Sequence, residues 1–132
     1  MNQPLQVLLL EDSADDAALL AIELQRAGFN PACTRIETRA ELAAALERQE
    51  WHLIIADYRL PKGSGLDLIE EFRRSGYRGD VIMVSAFPDL IRIEDLQRLS
   101  ISQFFVKPLD LNVFNRSIDA LLEIRDEMER RA

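Results

Sequence analysis

The sequence predicts an α/β domain: a doubly wound, five-stranded parallel sheet of strand order 2-1-3-4-5. Three observations carry this. Short apolar runs recur along the chain, at Val7-Leu8-Leu9-Leu10, Leu53-Ile54-Ile55-Ala56, Val81-Ile82-Met83-Val84 and Phe104-Phe105-Val106. Runs that are apolar at every position, rather than alternating, suit strands covered on both faces. The stretches between them have helical spacing and helix-start signals, and strict strand–helix alternation makes a parallel sheet with right-handed crossovers. Finally, a polar residue follows each run: Glu11-Asp12, Asp57, Ser85 and Lys107. In a parallel sheet these strand ends share one edge, the edge where doubly wound domains hold ligands.

Strand 1 is expected at residues 6–10. Helix 1 opens with Ser13, with Asp16 three residues on as a capping pair, and ends before Gly28. Strand 2 lies around 32–36, just after Pro31. Helix 2 starts at the capping box Thr38-Arg39-Ala40-Glu41 and carries an apolar stripe of Leu42, Ala45 and Leu46. Strand 3 is 52–56, followed by a loop at 59–65 rich in turn formers. Helix 3 runs 66–75 and stops at Gly76. Strand 4 is 81–84, helix 4 runs from Pro88 to Leu99, and strand 5 is 103–106. Pro108 is tolerated just past a strand end. Helix 5 begins near Asp110 and continues to about residue 130, the whole forming one domain over 1–132 that can lead into a downstream one. Strand 1, apolar through its middle, is central; the 2-1-3-4-5 order sets it beside strand 3 and brings Asp12 to Asp57 at the switch point.

At 132 residues the chain is long enough for one substantial core, and 48% hydrophobic with 30% charged residues is ordinary for a globular domain. A net charge of −7 argues against direct nucleic-acid binding. No apolar stretch approaches a membrane span, and the first basic residue, Arg26, comes too late for a signal peptide. Cys33 is the only cysteine, which excludes an internal disulfide and thiolate metal clusters, and makes a reducing cytoplasm the simplest setting. The basic residues are 14 Arg against 2 Lys, Lys62 and Lys107. In such a chain a lysine after a buried run reads as selected for its compact point charge.

Three carboxylates in one crevice repel one another unless one is protonated or a cation neutralises them. Mg²⁺, a hard ion held by a few carboxylates, waters and phosphate oxygens, fits that set. A carboxylate in its midst can attack phosphorus to form an aspartyl phosphate, with the ammonium and the cation stabilising charge on the transferring oxygens. Ser85 can hydrogen-bond a phosphoryl oxygen.

These positions together resemble the receiver domain of two-component response regulators, a flavodoxin-like fold, over nearly the whole chain. Glu11-Asp12 looks like the acidic pair and Asp57 like the phosphoacceptor. Asp57-Tyr-Arg-Leu-Pro-Lys-Gly-Ser-Gly65 matches the family's loop. Ser85 and Phe104 look like the switch residues, and Lys107-Pro108 like the Lys-Pro pair. The resemblance implies Mg²⁺ contacts from Asp12, Asp57 and the backbone carbonyl of Arg59, with Glu11 acting through water. It implies a phosphoryl contact from Lys107. The donor would be a phosphohistidine on a sensor histidine kinase or histidine phosphotransfer protein, or a small acyl phosphate. Such a domain catalyses only its own phosphorylation and dephosphorylation. Arg59 and Phe87 are bulky where the family's side chains flank the path of the attacking water. The segment Ser100-Ile-Ser102 lacks the usual small pattern, and Phe104 has no hydroxyl, so it switches by packing alone.

Taken singly, Glu11-Asp12-Ser13 is a helix cap, Asp57 a turn former and Ser85 a loop cap. His52, Trp51 and Cys33 read as structural. Two other functions compete with the phosphorylatable receiver: a phosphate-independent, receiver-like interaction module, and a Mg²⁺-dependent phosphatase with an aspartyl nucleophile. The intact acidic set and lysine argue against the first. Arg59, where the phosphatases carry a second aspartate, argues against the second. Helix 4 holds Leu90, Ile91, Ile93, Leu96 and Leu99, more than one buried stripe needs. The helix 4–strand 5–helix 5 face is therefore the expected regulated contact, with an output partner or in a homodimer, and Leu121, Leu122, Ile124 and Met128 could extend it as a seam.

Overall fold

The computed structural model describes residues 4–48, 51–60, 63–107 and 109–131. Five parallel strands form the sheet: β1 (Leu5–Leu10), β2 (Pro31–Ile36), β3 (Leu53–Asp57), β4 (Asp80–Ser85) and β5 (Gln103–Val106). Their order is β2-β1-β3-β4-β5, as the alternation predicts. Helices α1 (Ala14–Arg26), α2 (Arg39–Arg48), α3 (Gly65–Arg74), α4 (Ile93–Arg98) and α5 (Leu111–Arg131) cross between strands or follow them.

Alternation along each strand splits the core into two layers. Leu8, Leu10, Ile54, Ala56, Val81 and Met83 face Leu42 and Ala45 of α2 and Leu68, Ile69 and Phe72 of α3. Val7, Leu9, Leu53, Ile55, Ile82 and Val84 face Ala17, Leu20 and Leu24 of α1 and Phe114 and Ile118 of α5. The strand residues are buried on both faces, which is why their runs are continuous rather than alternating. Each such Leu or Ile contributes about 1.5–3 kcal/mol, enough together to hold charged groups at the strand ends.

Local signals act as expected at most helix starts. Ser13 caps α1, its Oγ accepting from Asp16 N at 3.2 Å, and Gly28 closes the turn at a φ of +99°. Thr38 Oγ1 accepts from Glu41 N at 3.2 Å. The return bond of that box goes elsewhere, since Glu41 Oε1 accepts from Glu37 N at 3.1 Å. Pro31 opens β2, tolerated at the first residue of an edge strand. Trp51 is buried, its Nε1 donating to Ala45 O, and precedes β3 at the sheet edge opposite Asp57.

Two segments differ from the sequence expectation. Residues 88–99 do not form one helix. A 3₁₀ turn spans Pro88–Leu90, the chain then extends through Arg92 (φ −97°, ψ 140°), and α4 covers only Ile93–Arg98. Ile91, half-buried, packs against the core there, and Arg92 offers no side-chain cap. The loop at 59–65 contains a two-residue antiparallel pairing, Arg59 with Ser64 and Leu60 with Gly63, and α3 starts one residue early on a Ser64 cap. Pro61, Lys62 and Pro108 lie outside the described residues, as do the side chains of Leu122, Ile124 and Met128.

Candidate functional site

Register builds the site. Leu10 of β1 pairs with Ala56 of β3, so Glu11 and Asp57 follow side by side. Asp57 pairs with Val84 of β4, placing Ser85 one residue beyond. Ser85 pairs with Val106 of β5, and Lys107 N extends that ladder by donating to Ser85 O at 2.8 Å. All the residues singled out at strand ends thus meet at one edge. The N-terminus of α3 closes in beneath: Gly65 N donates to Tyr58 O at 2.7 Å, and a Cβ at Gly65 would stand 2.2 Å from the Asp57 carbonyl oxygen. Only glycine allows that approach.

Carboxylate oxygens of Glu11, Asp12 and Asp57 lie within 4.8 Å of one another. Lys107 Nζ donates to Asp57 Oδ2 at 2.7 Å and Glu11 Oε2 at 3.3 Å. A further carboxylate, Asp16 Oδ2, stands 3.9 Å from the same ammonium. Asp16 is one helical turn past Asp12; that spacing is its only sequence signal, and in the sequence it reads as a cap partner. Glu11 is 3% exposed, and burial pushes its carboxyl from the ordinary 4.5 up to about 7. The hydrogen bond from Ser13 N and the Lys107 charge oppose that rise, while Asp12 and Asp57 add to it. For Lys107, burial works to lower the pKa. Its hydrogen bonds and charge interactions with Asp57 and Glu11 outweigh burial, and the net shift is upward.

Ser85 is buried, and its Oγ accepts from Phe87 N at 2.9 Å, leaving the O–H as a donor. Phe104 is half-buried against the α2–α3 layer, while the next residue, Phe105, turns to the other face and meets Phe114 edge-on at 5.2 Å. Arg59 follows the central carboxylate closely, its N–H donating to Asp57 Oδ1 at 3.2 Å. Its guanidinium lies 4.4 Å over the Phe87 ring, so two bulky residues from separate loops stack on each other beside the site. His52 sits at the far edge, its Nδ1 accepting from Gln6 N, in keeping with a structural role.

This arrangement gathers hard oxygen donors for a cation, a carboxylate held against an ammonium, and a hydroxyl donor. The family model described as response regulator receiver domain matches residues 7–119. The chain is 30% identical over 112 residues to the transcriptional regulatory protein DpiA of Escherichia coli, covering 83% of this chain and 48% of that protein. It therefore spans about half the length of that relative. A CheY-like response regulator receiver domain from Methylobacillus flagellatus superposes with a TM-score of 0.77 at 20% identity, over 90% of this chain and 99% of that one. The response regulator protein TrrA of Thermotoga maritima, in complex with Mg²⁺ and BeF, superposes with a TM-score of 0.73 at 22% identity, over 92% and 99%. At those identities the likeness is one of fold; the family match reaches from β1 into α5 and takes in the whole strand-end cluster. The chain belongs to the response regulator receiver domains, the phosphoaccepting modules of two-component signalling.

Proposed function

We propose that Asp57 is the phosphoacceptor of this domain. The observation that carries the assignment is its position: Asp57 Oδ2 is 2.7 Å from Lys107 Nζ, and its carboxylate closes a cluster with Glu11 and Asp12 within 4.8 Å. A carboxylate oxygen of Asp57 attacks the phosphorus of a phosphohistidine. The P–N bond breaks as the P–O bond forms, and imidazole leaves. Lys107 then passes from the carboxylate to a phosphoryl oxygen, and the Ser85 hydroxyl donates to another. These are single-turnover steps on the protein itself, so the domain is not an enzyme toward other substrates.

The donor set fits Mg²⁺. Three clustered carboxylates exceed what one ammonium neutralises, which leaves negative charge for a hard cation. Asp12, Asp57 and the Arg59 carbonyl would hold the ion, with Glu11 behind them. When bound, it neutralises the cluster and stabilises charge on the transferring oxygens. The TrrA structure with Mg²⁺ and BeF supports the choice of ion by analogy.

The phosphodonor is a sensor histidine kinase or a histidine phosphotransfer protein. An apolar hollow lined by Leu19, Leu20, Val84, Ala86 and Leu109 opens beside Glu11 and Lys107, and we assign it to the donor because it borders the reacting atoms. The output face is α4–β5–α5, where Ile93, Val106 and Val113 are exposed, as is Leu90 in the 3₁₀ turn before α4. It meets a downstream partner or a second copy. Among the described residues no helix is long and apolar enough to cross a membrane. Cys33 is free, and the setting in this reading is cytoplasmic.

The test is labelling with a small acyl phosphate donor and Mg²⁺. Unaltered protein should form an acid-stable, base-labile phosphoprotein with altered amide exchange across α4 and β5; Asp57→Asn should show neither while keeping the fold. Stable labelling of Asp57→Asn at another aspartate would overturn the assignment.

A further inference from the structure

Arg35 reaches the acidic pair from a strand the site does not otherwise use. β2 ends at the same sheet edge as β1, and their register sets Arg35 opposite Leu9. From there Arg35 Nη1 donates to the backbone carbonyl of Glu11 at 3.2 Å and, more weakly, to that of Asp12 at 3.5 Å. The same nitrogen is paired with Glu37 Oε1. Glu37 is tied in turn to the cap of α2, its N–H donating to Glu41 Oε1 at 3.1 Å. A continuous set of polar contacts thus runs from the start of α2 to the peptide groups of Glu11 and Asp12.

Those peptides lie in irregular backbone between β1 and α1, outside any ladder beyond the bond from Glu11 N to Ile36 O at 3.2 Å. The loop also carries two of the three clustered carboxylates, Glu11 and Asp12, adjacent in sequence. Rotating either peptide swings the carboxylate beside it. A guanidinium is suited to prevent this because it stays charged and its rigid plane fixes the direction of the two Nη1 hydrogens, which meet Glu37 and the Glu11 carbonyl, the longer approach to Asp12 O being shared.

We propose that Arg35 is a positioning residue for divalent-cation binding: anchored by Glu37, it fixes the peptides of Glu11 and Asp12 so that their carboxylates converge with Asp57. The proposal rests on the metal reading above. It opposes simple electrostatics, which gives a sharp test. Arg35 adds positive charge near a cation site, so by charge alone its removal tightens Mg²⁺ binding and a lysine in its place changes nothing. Positioning has the opposite consequence for both variants.

The experiment is calorimetric titration of the full chain with Mg²⁺, for unaltered protein, Arg35→Ala, Arg35→Lys, Glu37→Gln and Asp12→Ala. Arg35→Ala and Arg35→Lys should each weaken Mg²⁺ at least threefold, and Glu37→Gln by a smaller factor. In metal-free protein the Ser13 amide, bonded to Glu11 Oε1 at 3.1 Å, should exchange faster in Arg35→Lys. Phosphorylation should need more Mg²⁺ for half its maximal rate while reaching the unaltered rate at saturation, a split that general destabilisation does not produce. Tighter binding in Arg35→Ala with no change in Arg35→Lys would overturn the proposal, as would unaltered affinity in both; should Arg35→Ala not fold, Arg35→Lys decides alone. Loss of binding in Asp12→Ala supports the metal reading independently. Failure of the unaltered protein to bind Mg²⁺ would remove that reading and the positioning role with it.

Discussion

Replacing Glu11 by Gln should stabilise the metal-free protein above neutral pH, although it deletes a partner of Lys107. Burial raises the Glu11 carboxyl from 4.5 to about 7. The folded state therefore holds this proton more tightly than the unfolded state, and the associated stability is fully present below pH 4.5. It is lost as pH rises through 7, because folding must then accommodate a buried carboxylate that the unfolded chain leaves in water. Each pH unit between those two values is worth about 1.36 kcal/mol, so the loss is on the order of 3 kcal/mol by pH 8. Glutamine is isosteric and neutral at every pH, and Lys107 retains Asp57 at 2.7 Å. At a urea slope of about 2 kcal/mol/M, the midpoint of Glu11→Gln should exceed that of unaltered protein by roughly 1.5 M at pH 8 and approach it at pH 4.5. Urea melts in EDTA at half-unit pH steps, compared as the difference between the two proteins, cancel the other titrating groups. Saturating Mg²⁺ should close the gap at pH 8 by stabilising the unaltered protein. A Glu11→Gln midpoint equal to or below the unaltered one at pH 8 would refute the reasoning, since Glu11 would then be ionised there without cost.

Gly65→Ala should destabilise the domain by about 1–3 kcal/mol or more and slow phosphorylation, because the new Cβ would stand 2.2 Å from the backbone oxygen of Asp57, which no side-chain adjustment relieves; a higher urea midpoint, as helix propensity alone would give, would contradict it. Arg59→Ala with Phe87→Ala should shorten the acyl-phosphate lifetime. The stacked pair, at 4.4 Å, is worth about 0.5–1 kcal/mol, so opening it should speed loss of label roughly two- to fivefold, and decay at the unaltered rate would discard the shielding role.

What was legible in the sequence follows how each residue acts. The runs of β1, β3 and β4, buried on both faces, carry their signal in a few adjacent residues, so the strand-end positions of Glu11, Asp12, Asp57 and Ser85 could be read without a structure; β5 is only half-buried and ends on an exposed Val106, but it too is apolar enough to show Lys107 at its end. Lys107 stood out because the chain otherwise uses arginine almost throughout. The break at Arg92 was hidden because Leu90, Ile91 and Ile93 have helical spacing, while the packing of Ile91 against the core and the lack of a side-chain cap at Arg92 show only in the structure. Asp16 read as part of a cap, and it is one: its amide meets Ser13 while its carboxylate faces Lys107, a second contact created by the β5 register. Arg35 gave no local sign beyond its neighbour Glu37, since the groups it reaches in the site are backbone carbonyls 23 and 24 residues away, and every residue carries one. Groups that meet substrate or metal must be of a particular chemical type at a strand end, and type is visible in a sequence. Groups that hold them in place need only reach, and reach depends on register and loop length. A positioning residue of this fold is therefore better sought on β2 and the loops beside the site than among the acidic residues themselves.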